Sequence, residues 1–333
     1  STPTSSWHRF ESDHVVLTTD VDRTRGRALI TDVEKFRTTL SRITGIAFED
    51  ASPKIHVFAF SRQRDYERAS RSSGSLGFYT TKPAGAVSML SLEDGDESWT
   101  KNLGAQVLRH EYTHHLLHQY SPMEYPRWYD EGFAEYVSTM EFDGSQVILG
   151  KVPVRRLIAL RAQGDWLTTE QLVESRGRYL GRMGSGLSRD EDKYRVGIHH
   201  QYAQGWLVVH FLNHTQRFRA GIGPYLAAVA DGASANEEVF EQHFGADYSE
   251  FDQALRNYWA DRNLSYATVD MTGQFPVFDV QHEELTPEES GAVVYMAKHL
   301  SGRLQKDEIK AADQAFAADA GSRRADDPSK EVG

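Results

Sequence analysis

The chain has 333 residues, of which 39% are hydrophobic and 11% aromatic, which is enough apolar material for a packed core. Its formal net charge of −11 argues against nucleic-acid binding, because phosphate recognition requires a basic surface. The sequence contains no cysteine, which excludes disulfides and thiolate ligands and leaves histidine and carboxylate side chains to bind any metal. No apolar run reaches about 18 residues, so no membrane span is predicted.

The first 95 residues are predicted to form a small mixed α/β layer. The opening STPTSS lacks an initiating methionine and looks like a processed start, which is compatible with a secreted, periplasmic or cytoplasmic protein. Residues 14–19 alternate as a strand does, residues 24–40 have helical apolar spacing, and residues 55–60 and 78–90 are β-prone.

Residues 110–114 read HExxH, within a segment over 100–120 that is predicted to be a helix. A helix turns once in about 3.6 residues, so His110 and His114 project from one face and can hold the same metal ion. Glu111 lies beside that pair and can take a proton from water activated by the metal. The motif therefore indicates metal-assisted hydrolysis.

A second helix is predicted over 128–140, within the sequence PRWYDEGFAEY that follows the first helix closely. Glu131 would lie in its first turn. A helical hairpin with a short connection can bring this carboxylate over the two imidazoles and complete a His, His, Glu ligand set. Three protein ligands plus water form the pattern of catalytic zinc, so Zn²⁺ is the expected cofactor.

HExxH followed by DEGFAEY resembles the gluzincin metallopeptidases, and most of all the bacterial peptidase-MA-like families of largely unknown function. The resemblance is specific over about residues 100–140. It implies a zincin-like α+β fold in which His110, His114 and Glu131 are zinc ligands and Glu111 is the general base.

Neighbouring residues of the two motifs leave alternatives open. Thermolysin-like members of the family carry a carboxylate one turn beyond the ligand glutamate, where it hydrogen-bonds a ligand histidine; Glu135 has this position, although it could also be a solvated helix charge. His114 and His118 are also four residues apart, but no glutamate directly follows His114, so we favour His110 and His114 as the metal pair. His115 and His118 are expected to be hydrogen-bonded or partly exposed.

The segment YAQG opens an apolar helix predicted over 199–215. It resembles the YxKG segment of the gluzincin aminopeptidases, whose tyrosine donates a hydrogen bond to the oxyanion. This implies that Tyr202 stabilises the transition state, although Gln204 replaces the lysine. The alternative is a core tyrosine on a buried helix, with His199 or His200 as the donor.

Residues 85–90 (GAVSML) are predicted to be a strand. In the same aminopeptidases the corresponding edge strand carries GxMEN, where substrate adds as an extra strand and the glutamate binds the free N-terminal amine. Ser88 and Met89 stand where that glutamate would be, so we expect an endopeptidase that binds extended peptide or protein substrates by strand addition. The alternative is a sheet strand with no role in substrate binding.

The rest of the region 96–264 is predicted to be mostly helical and to complete the catalytic part. We expect a strand at 146–149 and helices at 153–161, 168–174, 222–231, 235–244 and 248–262. Residues 175–197 are rich in Gly, Arg and Ser and are predicted to be a loop, either a lid over the cleft or a plain surface loop.

The C-terminal region 265–319 is predicted to be an extension of strands at 266–271 and 275–280 followed by helices at 287–300 and 307–318. The two helices resemble one tetratricopeptide-type hairpin, which could pack on the catalytic part or bind a protein partner. Residues 320–333 are polar and are predicted to be disordered.

The leading hypothesis from sequence is a zinc-dependent endopeptidase. The alternatives are a binding or scaffold protein that retains the fold with structural zinc, and a zinc hydrolase of a non-peptide amide.

Overall fold

The fold is a mixed α/β arrangement, as expected for an α+β protein, and the structure is a computed structural model. It describes the backbone of residues 6–48, 53–83, 85–94, 102–162, 166–174, 191–262 and 264–310 and, within these ranges, the side chains of all but 191–201. The described strands are β1 His8–Glu11, β2 Val15–Thr19, β3 Ile55–Phe60, β4 Gly77–Lys82, β5 Gly85–Ser91, β6 Glu141–Asp143, β7 Gln146–Leu149, β8 Ala267–Asp270 and β9 Gln281–Glu284. The described helices are α1 Arg23–Thr44, α2 Gln63–Ser70, α3 Leu103–Tyr120, α4 Arg127–Ser138, α5 Val154–Ala162, α6 Thr169–Glu174, α7 Glu191–His214, α8 Gln216–Arg219, α9 Ile222–Ala230, α10 Glu237–Phe244, α11 Tyr248–Ala260 and α12 Pro287–Leu300.

The larger sheet has six strands in the order β4-β5-β3-β2-β1-β9. Strands β2, β3 and β5 are parallel, and the remaining pairs are antiparallel. The apolar run of β3 is almost entirely buried, because the sheet is covered on both faces near its centre. Strands β6, β7 and β8 form a separate three-stranded sheet.

Helices cover both faces of the larger sheet. Helix α1 begins at Asp22, whose side chain accepts hydrogen bonds from two backbone N–H groups, and ends at Gly45, which has a φ of 71°. Its buried face includes Ile30 and Phe36, which belong to the main core. On the opposite face, α2 and α12 pack against the sheet around a second core that includes Phe60 and Tyr66.

Helix α3 carries the HExxH sequence and contacts α1, α4, β4 and β5. Arg109 fixes its position, because the guanidinium binds Asp32 of α1 at 2.8 and 3.0 Å and donates to the carbonyl oxygen of Ser138 at 2.8 Å. This buried bridge ties three helices together directly beside His110.

Most predicted elements agree with the structure to within a few residues, and the differences have physical causes. The predicted strand at 275–280 is wrong: the chain is irregular there, and the strand lies at β9 instead. The sequence of β9, QHEE, has no apolar alternation because this is an edge strand with mostly exposed side chains. Strand β1 was not predicted either, because its four residues, HRFE, include a single apolar side chain.

The prediction that 85–90 offers an edge to substrate is also wrong. Strand β5 pairs with β3 on one side and with β4 on the other, so both of its edges are occupied. In this sheet the edge nearest α3 belongs to β4.

Two predicted segments lie only partly within the described residues. Residues 191–197 are helical and belong to α7, so the predicted loop is shorter than 175–197; residues 175–190 lie outside the described residues. Helix α12 is confirmed, and residues 306–310 are helical, but 311–318 and the predicted disordered tail at 320–333 lie outside the described residues as well. Among the described helices, none combines the length and the apolar character needed to cross a bilayer.

Candidate metal centre

Helix α3 presents its two motif histidines side by side, as their four-residue spacing predicts. The Nε2 atoms of His110 and His114 lie 3.2 Å apart. The ring of His114 is buried and that of His110 is nearly so. The two imidazoles therefore offer two ligand nitrogens to one point in space.

Helix α4 adds the third ligand atom. Oε2 of Glu131 lies 3.5 Å from Nε2 of His110 and 3.4 Å from Nε2 of His114. This oxygen is buried and has no hydrogen-bond partner in the described part of the chain, which is costly for a carboxylate. Bonds of about 2.0–2.1 Å to a tetrahedral ion separate neighbouring ligands by about 3.3 Å, so the three atoms fit around one metal ion.

A carboxylate lies beside the other nitrogen of each imidazole. Oε1 of Glu135 is 3.4 Å from Nδ1 of His110, and Oδ1 of Asp130 is 3.3 Å from Nδ1 of His114. These acceptors favour the tautomers that carry the proton on Nδ1 and the lone pair on Nε2. Two lone pairs and one carboxylate oxygen then converge, an arrangement that a bound cation would stabilise.

The charges of the cluster reinforce one another. Burial raises the pKa of the Glu131 carboxyl, but the adjacent imidazoles of His110 and His114 hold it well below its usual value. Burial also raises the pKa of the Asp130 carboxyl, but its hydrogen bonds to His114 and His118 lower that pKa to about 2. Both carboxylates are therefore ionised at neutral pH, the form in which they bind a cation or accept a proton.

Glu111 faces a cavity of about 230 Å³ that opens beside the ligand cluster. Burial raises the pKa of this carboxyl, and the charges of His110 and His114 oppose that effect. His110, Glu135 and Tyr202 line the same cavity. The predicted general base thus adjoins both a ligand histidine and a space that a substrate can enter.

Helix α7 brings Tyr202 to the site from about seventy residues further along the chain. Its hydroxyl donates to Oε1 of Glu131 at 3.1 Å, and its ring lies 4.8 Å from the guanidinium of Arg156. Burial, followed by the charge of Glu131, raises the pKa of Tyr202, so the phenol keeps its proton. The side chains of His199 and His200, the alternative donors, lie outside the described part.

The sequence did not predict two contributors to the site. Asp130 directly precedes Glu131, and this adjacency to a ligand was the signal that could have identified it. Arg156 in α5 forms an ion pair with Glu135. It is distant in sequence from both motifs and gave no local signal.

The remaining histidines of α3 behave as expected. His115 is buried and its Nδ1 lies 3.1 Å from the hydroxyl of Tyr79, while His118 is exposed and contacts Asp130. His114, His118 and Asp130 are also close enough to share an ion. That alternative would use Nδ1 of His114, the atom that faces Asp130, and would leave the oxygen of Glu131 without a partner, so the first group fits a metal better.

Comparison with known proteins adds little to this geometry. No protein-family model matches the sequence. The chain is similar to the uncharacterized protein YhcO of Bacillus subtilis (strain 168), with 28% identity over 132 residues. The match covers 36% of this chain and 39% of that protein, and the relative's name states no activity. The interpretation of the candidate metal centre therefore rests on its own side chains.

Proposed function

We propose that the protein is a zinc-dependent endopeptidase of the gluzincin type with a zincin-like fold. The observation that carries this proposal is the convergence of His110, His114 and Glu131 beside a cavity that Glu111 lines. Two imidazoles and one carboxylate suit zinc, and a set of three ligands leaves a tetrahedral position for water, as catalytic sites do.

The protein residues around the ion have separable roles in this proposal. When bound, zinc supplies Lewis acidity and lowers the pKa of water. Glu111 removes the proton from the water molecule that attacks the peptide carbonyl and transfers it to the departing amine. Tyr202 exchanges its hydrogen bond to Glu131 for one to the developing oxyanion. Glu135 and Asp130 hold the two imidazoles in their ligating tautomers.

The sheet supports an endopeptidase rather than an aminopeptidase. No other described strand pairs with the outer edge of β4, this strand packs against α3, and its first residue, Gly77, lines the cavity. A free edge can pair with an extended peptide through main-chain hydrogen bonds that do not depend on a chain terminus. The sequence of β4, GFYTTK, contains no carboxylate that would bind a free amine.

The decisive experiment is Glu111→Gln combined with metal analysis and digestion of a peptide library. The native protein should contain one zinc per chain and cleave peptides internally. Glu111→Gln should retain zinc and lose about 10²- to 10⁴-fold in activity, the contribution of a general base. Glu238→Gln, on the exposed surface of α10, is the matched control and should remain active. An active Glu111→Gln variant would contradict the mechanism, and stoichiometric zinc without any cleavage would favour the scaffold alternative.

A further inference from the structure

Two arginines occupy the first turn of α5, where the helix faces the cavity. Arg155 and Arg156 both line that cavity, and the first turn contains no acidic residue. The N-terminus of a helix carries a partial positive charge, so cations are disfavoured there and acids are preferred. A pair of arginines in this position therefore needs compensation from elsewhere.

Arg156 is compensated within the protein. It forms an ion pair with Glu135 and packs its guanidinium over the ring of Tyr202. The charge of Glu135 raises the pKa of Arg156 against the effect of burial. This arginine is therefore part of the framework that supports the metal centre.

Arg155 is not compensated in the same way. It is exposed to the cavity and forms no ion pair or hydrogen bond with any described residue. The protein atoms around it, and then the charge of Arg156, lower the pKa of its guanidinium, although it remains charged at neutral pH. The nearby carboxylate of Glu135 is already engaged by Arg156, so among the described residues Arg155 has no anionic partner at the cavity wall, in a protein with a net charge of −11.

We propose that Arg155 binds a carboxylate of the substrate in this cavity, so that the enzyme prefers an acidic group close to the scissile bond. The inference rests on the proposed peptidase function and specifies its substrate class. A guanidinium can bind a carboxylate through two parallel hydrogen bonds, and Ser75 and Gln106 of the cavity wall offer further polar groups. The volume of about 230 Å³ suits one side chain or one chain terminus.

The first test is a comparison of cleavage by the native protein and Arg155→Gln. The substrates are pools of random peptides that differ only in a fixed central residue, Glu, Gln, Asp, Asn or Lys. The native protein should favour the Glu and Asp pools by about tenfold in kcat/KM, and Arg155→Gln should lose this preference. Arg161→Gln, on the last turn of the same helix, is the matched control and should retain it. A preference that survives Arg155→Gln, or that the native protein lacks, would overturn the inference while leaving the peptidase proposal intact.

The second test measures binding and does not depend on catalysis. Fluorescein-labelled versions of the Glu and Gln pools are titrated into Glu111→Gln and into the double variant Glu111→Gln with Arg155→Gln. The single variant should bind the Glu pool about tenfold more tightly, and the double variant should bind both pools equally. Equal binding by the single variant would reject the inference. Pools with free and amidated C-termini identify the source of the carboxylate, because a preference confined to free termini would assign it to the chain end.

Discussion

Gly132 of α4 and Gly205 of α7 meet where the two helices cross. A Cβ atom on Gly205 would lie 2.8 Å from the carbonyl oxygen of Trp128, and one on Gly132 would overlap the carbonyl of Gly205. The absence of both side chains lets the helix backbones approach closely. Since Glu131 precedes one glycine and Tyr202 lies one turn before the other, this contact positions the tyrosine hydroxyl on the carboxylate of Glu131.

Replacing either glycine of this crossing with alanine should therefore destabilise the protein. Overpacking against a backbone carbonyl costs about 1–3 kcal/mol, because the backbone cannot move aside as a flexible side chain can. Urea unfolding of Gly132→Ala and Gly205→Ala measures the loss. The control is Gly291→Ala in α12, where a Cβ meets nothing within 4 Å and alanine should stabilise the helix by about 0.5–1 kcal/mol. Unchanged stability in both crossing variants would show that the helices are not in close contact.

Local patterns predicted the parts of the molecule that local physics determines. The four-residue spacing of His110 and His114, and the position of Glu131 in the next helix, were sufficient to predict that these three side chains lie together, because a short helical hairpin leaves few other arrangements. The pairing of β9 with β1 joins residues about 270 positions apart, and no periodicity in either strand reports it. Arg156 reaches Glu135 for a similar reason: its place follows from the packing of α5 on α7, which depends on the whole core.

The carboxylates beside the Nδ1 atoms should control metal affinity. Asp130→Asn and Glu135→Gln each remove a charged acceptor that orients a ligand imidazole, and loss of such a partner weakens metal binding by about 10- to 100-fold. Competition with a fluorescent zinc chelator measures the dissociation constant. Asp143→Asn, an exposed substitution in β6, is the control. Unaltered zinc affinity in both variants would mean that the two carboxylates do not orient the imidazoles.

Glu135→Gln should also lower the stability of the fold. Comparison with Asp130→Asn separates this effect from the loss of metal affinity. The substitution leaves the half-buried guanidinium of Arg156 without its anionic partner, and an uncompensated charge of this kind costs at most about 3–5 kcal/mol. His118 near Asp130 is exposed, so water can compensate the loss there. Thermal unfolding of the zinc-free variants should therefore show a clearly larger decrease in Tm for Glu135→Gln. Equal decreases would argue against the ion pair.

Tyr202→Phe tests whether the tyrosine stabilises the transition state. Removal of one oxyanion donor lowers kcat by about 10²- to 10³-fold, whereas KM and zinc content should change little because the ligand atoms remain. Tyr295→Phe, on the exposed face of α12, should leave kcat unchanged. A fully active Tyr202→Phe variant would reduce the residue to a hydrogen-bond partner of Glu131.

A buried histidine away from the metal should make stability depend on pH. His210 is fully buried; its Nε2 lies 3.0 Å from the carbonyl oxygen of Gly150 and its Nδ1 lies 2.8 Å from the hydroxyl of Tyr258. The neutral ring satisfies both contacts by donating from Nε2 and accepting at Nδ1. Burial, and then the charge of the stacked His214, lower the pKa of His210 to about 4.

The free energy of unfolding should therefore decrease between pH 6.5, the pKa of the histidine in the unfolded chain, and about pH 4, its pKa in the fold. The unfolded chain binds the proton first as the pH falls, so this residue contributes its stability above pH 6.5 and loses at most about 1.4 kcal/mol for each pH unit below it. Urea unfolding in the presence of a chelator isolates the effect from loss of a bound ion. His210→Gln should unfold with a shallower pH dependence than the native protein, whereas the exposed control His299→Gln should retain the native dependence. If His210→Gln keeps the pH dependence of the native protein, groups other than His210 must account for acid unfolding. The predicted pH dependence requires a histidine that stays neutral in the folded state.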